Sequence, residues 1–348
     1  MAEQGAEIPE GEPFDPWRVS ADRLPAGEGH TERLAFAVHY AILAPSGHNA
    51  QPWLFHVDGD HVDVLADRSR ALAVVDPDDR ELTISCGAAT GMLVLAARCQ
   101  GLAIDVAVLP DPEVADLLAR VTAVGEATPS AVELAHFGVI TARRTNRGPY
   151  DEQPLGADLV AGFEDAAAAE GAWFAPIEGN DRALVADLVA EGDRAQFHEK
   201  RFRRELAAWL HPNKARQADG MRGYGFGFDD VMSHMGPHVI RRFDLGRGQA
   251  AKDHELATGT PLLAVVGTLA DDPASWVAAG RALSRVLLTA RTEGVFASFL
   301  NQPCEQADLR GRLAEVIGRP GFPQLVLRLG HAADVTPAPR RPVADVLV

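Results

Sequence analysis

One internal register stands out when the sequence is compared with itself. Sliding its 348 residues by 193 positions lays Asp79 on Asp272, Gly87 on Gly280, Ala89 on Ala282, Leu95 on Leu288, Ala97 on Ala290, Arg98 on Arg291, Gly101 on Gly294 and Pro110 on Pro303. Both copies read as an acidic turn, a long Ala-rich helix, Arg-x-x-Gly, a short extended run and then Pro. Ala and Leu match easily in a chain so rich in them, so the paired Gly, Arg and Pro carry the weight. A missed repeat mis-assigns a whole fold, and this length allows about two domain-sized units. The pattern therefore predicts an internally duplicated α+β chain, each half supplying a helix, a hairpin or strand, a long helix and a further strand.

Local signals give the boundaries. Residues 1–30 form an arm rich in Pro, Gly and Glu, as in Leu24-Pro25-Ala26-Gly27-Glu28, a composition that forms no core by itself. From Thr31, a candidate cap, Leu34, Val38 and Ile42 follow a helical period that Ala44-Pro45-Ser46-Gly47 ends. Trp53–Val57 and His61–Leu65, joined through Asp58-Gly59-Asp60, alternate as a β-hairpin. A helix over 80–100 stops at Gly101, and Leu102–Leu109 reads as a strand ended by Pro110. The first half spans 31–130 and the second 131–348. The second carries extra length around 192–255, which reads as a lid or binding element.

Charge narrows the partners. The 33 Lys and Arg stand against 49 Asp and Glu, a net charge of −16, and no basic block offers a track for a phosphate backbone. Neither nucleic acid nor an acidic membrane surface is expected. Cys86, Cys99 and Cys304 are odd in number and lack C-x-x-C spacing, so no disulfide framework or zinc site is indicated. With no basic-then-apolar leader and no run of roughly 18 apolar residues, a cytoplasmic protein is expected.

Three polar clusters stand out. Arg143-Arg144-Thr145-Asn146-Arg147 concentrates guanidinium groups that match phosphate oxygens two at a time. It equally fits a solvated helix end paired with Asp151 and Glu152. Arg340-Arg341, held between prolines, is either a stiffened anion contact or an exposed tail. Pro45-Ser46-Gly47-His48-Asn49-Ala50-Gln51-Pro52-Trp53 offers Ser46, Asn49 and Gln51 to the edge of a planar heterocycle, or is a turn with capping side chains. It is not a G-x-S-x-G elbow. His234 and His238 are four apart, but Gly236-Pro237 between them is expected to break a helix, so no metal site is predicted. Neither G-x-G-x-x-G nor G-x-x-x-x-G-K-[ST] occurs, and Gly223–Phe228, with no strand leading into it, is a weak phosphate-loop signal.

Together these residues resemble the nitroreductase superfamily. Pro45-Ser46-x-x-Asn49-x-Gln51-Pro52-Trp53 looks like its flavin-contacting loop, Arg143-Arg144-Thr145-x-Arg147 resembles its RRSxR phosphate motif, and Arg340-Arg341-Pro342 resembles its basic finish. In ordinary members RRSxR precedes the loop; here the order is inverted. Ordinary members are homodimers with FMN at the interface, so the inversion suits a fused pseudo-dimer that keeps one complete site. The Acg-like tandem subfamily is the nearest likeness, including the segment from Ser69-Arg70-Ala71-Leu72 to Val75–Glu81.

The resemblance implies a nitroreductase-like FMN-dependent fold, duplicated within a single-chain pseudo-dimer, with one FMN per chain and a monomeric assembly. It assigns Arg143, Arg144, Thr145, Arg147, Arg340 and Arg341 to the phosphate and ribityl chain, and Pro45, Ser46, Asn49 and Gln51 to the ring. Gly294, Val295, Ala297 and Ser298 would lie near N5. The implied reaction is NAD(P)H-dependent reduction of a nitroaromatic or quinone through N5, with no catalytic side chain named. A lid near 215–250, bearing Phe226, Phe228, Met232 and Met235, leaves a second reading open: a catalytically poor FMN-holding protein. Outside flavin chemistry, a small-anion binder without a redox role also remains.

Overall fold

The two repeated segments become two 20-residue helices, α2 (Arg80–Cys99) and α9 (Pro273–Thr292), which pack on each other at the centre of the chain. In a computed structural model, residues 7–20 and 29–348 are described; the Leu24–Glu28 part of the arm lies outside them. The paired glycines make the helix crossing possible. A Cβ on Gly87 would lie 2.4 Å from the Val277 carbonyl oxygen, and one on Gly280 would lie 2.0 Å from that of Ile84. Both helices also end before a left-handed glycine, Gly101 at φ 88° and Gly294 at φ 72°, a conformation without penalty only for glycine. Asp272 caps α9 by accepting from the Ser275 amide at 2.8 Å. On α2, Asp76 accepts from the Glu81 and Leu82 amides at 3.0 and 2.8 Å, satisfying amides the first turn leaves free.

Each helix lies against its own antiparallel sheet. The first half runs α1 (His30–Ala41), β1 (Trp53–Asp58), β2 (His61–Ala66), α2, β3 (Leu102–Val108) and β4 (Leu117–Glu126); then come α3 (Ala131–Gly138), α4 (Ala157–Ala168) and β5 (Ala172–Ile177). An insertion follows with α5 (Gly179–His198), α6 (Lys200–Ala208), β6 (Leu210–His211), β7 (Met221–Arg222), α7 (Asp230–Arg242) and α8 (Gly246–Thr258). The chain closes with β8 (Leu262–Thr268), α9, β9 (Phe296–Phe299), α10 (Ala307–Ile317) and β10 (Phe322–Gly330). Strand order is β1-β2-β4-β3 in one sheet and β5-β8-β10-β9 in the other. Numbered within each half, both are first, second, fourth, third: the fold is internally duplicated.

The halves differ at two connections. A two-residue turn joins β1 to β2, whereas the same position in the second half holds the whole insertion between β5 and β8. Conversely, residues 42–52 separate α1 from β1, but only 169–171 separate α4 from β5.

Several local expectations change. Thr31 does not cap α1; Gly29 occupies the N-cap, and the Thr31 hydroxyl donates to the Gly59 carbonyl at 2.5 Å, tying α1 to the hairpin turn. The extra length is mostly helical rather than loop. Pro237 sits inside α7 without ending it, so His234 and His238 do share one helix. Both are exposed, and no cluster of three or more His, Cys, Asp or Glu suited to a metal occurs among the described residues. Met232 and Met235, at 46% and 53% exposure, face solvent rather than the interior. Among the described residues only α2 is long and apolar enough to cross a membrane, and it is buried against α9 and the first sheet.

Candidate functional site

Arg143, Arg144, Thr145 and Arg147 follow the short 3-10 turn Ile140–Ala142 and face a cavity of about 580 Å³, within the usual ligand range of roughly 300–1,000 Å³. The arginines are not a solvated helix end. Arg143 is 3% exposed and Arg144 6%, while Asp151 and Glu152 point to solvent. Arg143 gives a hydrogen bond to the Leu43 carbonyl at 3.0 Å, and Arg144 gives bonds to the carbonyls of Thr141 and Arg143 at 2.7 and 3.0 Å. In both, Nε is buried without a partner. Burial, reinforced by Arg144, lowers the Arg143 pKa; burial lowers that of Arg144, with Asp334 opposing. Guanidinium stays protonated in proteins, so the strain appears as demand for an anion.

The C-terminal tail supplies a third guanidinium to the same wall. Arg340, 2% exposed, donates to Asn49 Oδ1 at 2.8 Å and to the Ala44 carbonyl at 3.1 Å, and its Nε is also unpartnered. Burial comes first and Arg143 and Arg144 second in pressing its pKa well down. Arg341 turns away. It donates to the Gln51 carbonyl at 3.1 Å and to the Asp345 carbonyl at 2.6 Å, and lines neither cavity.

Across from the arginines lies the 42–52 loop of the first half. Pro45, Ser46 and Asn49 line the arginine cavity. Ser46 Oγ accepts from the Gln51 amide at 2.9 Å, and Asn49 Nδ2 donates to the carbonyls of Gly220 and Pro339 at 3.0 and 3.1 Å. Asn49 thus fixes Arg340 and the lid. Gln51 is fully buried; its amide donates to the Ala218 carbonyl at 2.8 Å and its oxygen accepts from the Arg341 amide at 2.8 Å. It braces the loop and touches neither cavity. His48, Asn49 and Gln51 have φ of 49°, 55° and 54°, uncommon values for side-chain-bearing residues.

A second cavity of about 300 Å³ adjoins the first, sharing Ser46, Arg147, Met221, Phe226 and Phe299 among its lining. From β9, Ser298 and Phe299 reach it. Gly294, Val295 and Ala297 line neither cavity: Val295 is packed in the second core, and Ala297 bridges Thr145, its carbonyl accepting from the Asn146 amide at 3.2 Å. The segment that carries Arg143 to Arg147 is therefore anchored to β9 by backbone. His48 lines the second cavity with Nε2 buried and unpartnered, and burial, with Arg147 nearby, brings its pKa down to about 4.

One contributor has no sequence signal and another has only a weak one. Trp17, 2% exposed, places its ring 4.5 Å from the Arg144 guanidinium carbon and 4.8 Å from that of Arg340, and its indole N–H donates to the Ala338 carbonyl at 2.7 Å. The arm is thus part of the cavity wall. The Gly-rich stretch also reaches the site: Gly225, Phe226 and Gly227 line the arginine cavity, Arg147 lies 5.3 Å over the Phe226 ring, and the Tyr224 hydroxyl donates to the Pro337 carbonyl at 2.7 Å.

No family model matches the sequence. A protein of Mycobacterium tuberculosis named "Putative NAD(P)H nitroreductase" is 31% identical over 328 residues, covering 91% of each chain. The "Putative NAD(P)H nitroreductase acg" of the same species is 25% identical, covering 91% of this chain and 95% of its own. Among solved structures, the FMN and NADPH-dependent nitroreductase NfnB of Sphigopyxis sp. strain HMH is 18% identical, with 63% of this chain and 98% of that one covered and a TM-score of 0.41. Likeness to the first relative, spanning nine-tenths of both sequences, settles the assignment: this chain belongs to the NAD(P)H nitroreductase family.

Proposed function

We propose that this chain binds one FMN and reduces small oxidising substrates of nitroaromatic or quinone type at the expense of NAD(P)H. The observation that carries the reading is the shared arginine cavity, where Ser46 of the first half faces Arg143, Arg144 and Arg340. Three buried guanidinium groups with unpartnered Nε atoms suit a phosphate, because a dianion relieves their mutual repulsion and their desolvation together. The adjoining cavity, of mixed lining with apolar faces from Leu206, Phe226 and Phe228 and with Ser46 and Phe299 at the junction, suits a planar ring. A relative in the family bears the name NAD(P)H nitroreductase.

When bound, FMN supplies the hydride-transfer chemistry that no side chain provides. The chain's own residues hold and enclose it. Arg143, Arg144 and Arg340 grip the phosphate, Thr145 adds a hydroxyl, and Trp17 backs the guanidiniums. Arg147 and Phe226, between the cavities, cover the junction with the ring pocket. Because the 42–52 loop and the insertion each occur once, one site per chain is expected, completed without a second chain.

A storage reading has its own support. The lid is stitched to the floor through Asn49 to Gly220, Gln51 to Ala218 and Tyr224 to Pro337, which opposes substrate entry. Purified protein should be yellow and bind FMN to a limit of one per chain. Bleaching by NADPH without oxygen within seconds, and recovery on adding a quinone, identifies an enzyme; colour that persists for hours identifies a store. A chain that cannot be loaded with FMN overturns both.

A further inference from the structure

Inside the second cavity, two carboxylates of the insertion meet at one amide. Gln302 Nε2 donates to Asp193 Oδ1 of α5 at 3.0 Å and to Asp253 Oδ2 of α8 at 3.0 Å, and Gln249 Nε2 donates to Asp253 Oδ2 at 2.9 Å. The aspartates are 2% and 7% exposed. Gly192 permits the approach, since a Cβ there would lie 2.6 Å from Gln302 Cβ.

If both carboxylates were ionised, Asp193 Oδ2 would be buried with no donor to satisfy it. Like charges this close and this deeply buried, with apolar groups such as Phe197, Leu206, Phe228 and Ile240 among the cavity's lining, cannot both persist. One shared proton removes the repulsion and gives Oδ2 a partner. Facing groups act both ways. Arg194 of α5, Lys252 of α8 and Arg328 of β10 favour ionisation, and Glu305 beside α10 opposes it. Burial outweighs them, taking Asp193 up to about 8 and Asp253 upward.

Other titratable groups in the cavity are worse placed to give up a proton. Burial raises Glu81 well above the usual carboxylate range and Glu305 to about 7, but both are engaged elsewhere: Glu81 accepts from Asn301 at 3.0 Å and pairs with Arg80 at 3.3 Å, and the Gln196 amide donates to Glu305 at 2.5 Å. His48 is neutral at ordinary pH. Its unpartnered Nε2 faces the same space, which marks that space as built to receive a polar ligand group.

We propose that the Asp193–Asp253 pair is the proton donor to the acceptor substrate, a quinone taken up beside the flavin ring at the α5 and α8 side of the second cavity. The proposal rests on the reductase reading above. A quinone that takes one hydride, derived from NAD(P)H, gains two electrons and one hydrogen and is left with an anionic oxygen. The shared O–H of the pair breaks, a new O–H forms on that oxygen to complete the hydroquinone, and the pair carries a second negative charge until solvent returns a proton.

The test uses the FMN-loaded full chain, with NADPH reduction and quinone reoxidation followed separately in Asp193→Asn, Asp253→Asn and Glu305→Gln. In the wild type, reoxidation should slow as pH rises through about 8 and show a normal solvent deuterium isotope effect. Each aspartate variant should lose roughly 10²-fold in reoxidation at neutral pH and lose the pH break, a loss larger than any in the NADPH step. Infrared difference spectra give a readout independent of turnover: a protonated carboxyl band component that is lost as pH rises through about 8, is retained in Glu305→Gln and is missing from both aspartate variants. Wild-type reoxidation in the aspartate variants, a break that moves only in Glu305→Gln, or the absence of the band overturns the proposal. Failure to take up FMN instead overturns the reductase reading, and the donor role falls with it, while the band still reports whether the pair shares a proton.

Discussion

The two halves share one strand order and one central helix, yet each has kept a different connection. The first holds residues 42–52 between α1 and β1 and turns from β1 to β2 in two residues; the second has three residues at the first place and four helices at the second. Fusion explains why such losses are tolerated. In a symmetric dimer every change is made twice, so losing the loop removes it from both sites. Once the halves are one chain, each can shed what the other provides, and the symmetry survives where packing demands it, at α2 and α9.

The sharpest break of this comparison lies at the arginine wall. Arg340→Ala removes a buried charge and its tie to Asn49, at a cost of about 3 kcal/mol in binding, or roughly 100-fold in FMN affinity. Flavin fluorescence titration measures it, and wild-type affinity would remove Arg340 from the site. Next come the shared glycines. Gly280→Ala and Gly87→Ala each push a methyl into the facing helix backbone and should each lower stability by about 1–3 kcal/mol; a large loss from one and none from the other, in urea unfolding, would deny the symmetry of the crossing.

A smaller effect belongs to the insertion alone. Asp193 holds its proton up to about 8 in the folded chain but only to about 4 when unfolded. The folded state therefore binds more protons between those values, and its stability falls as pH rises through that window and then levels. Asp193→Asn abolishes this slope, so its melting temperature should gain on the wild type from acid to pH 8; parallel curves would contradict a raised Asp193. The mildest change is Trp17→Phe, which keeps an aromatic face but weakens the stacking by about 0.5–1 kcal/mol. A fall of a few-fold in FMN affinity is expected, with the fold intact by circular dichroism.

Much of this was legible beforehand. The 193-residue register predicts α2 and α9 because Gly87, Gly280, Gly101 and Gly294 are demanded by backbone geometry that few other residues satisfy. Arg143, Arg144, Arg340 and Ser46 were readable as an order-inverted motif, and they do face one cavity. Gln51 and Arg341 share the motif but serve the loop's own hydrogen bonds, a division that residue type does not encode. Trp17 was hidden because Phe14 and Trp17, two aromatics in a Pro- and Gly-rich stretch, set no period. Asp193, Asp253 and Gln302 are distant in sequence and meet only through the close approach of α5 at Gly192. Pro237 misled because breaking helices is only its average behaviour; α7 continues through it.

The tail that carries Arg340 returns across the first half, its backbone N–H bound to the Pro13 carbonyl at 2.7 Å and Val346 accepting from the Phe55 amide at 2.8 Å. Arg340 is also translated after both sheets. The same tail seats Val346 in the first core, so closing that core and delivering the third buried guanidinium to the anion wall belong to one folding event, and neither is complete until residues 340–346 are in place.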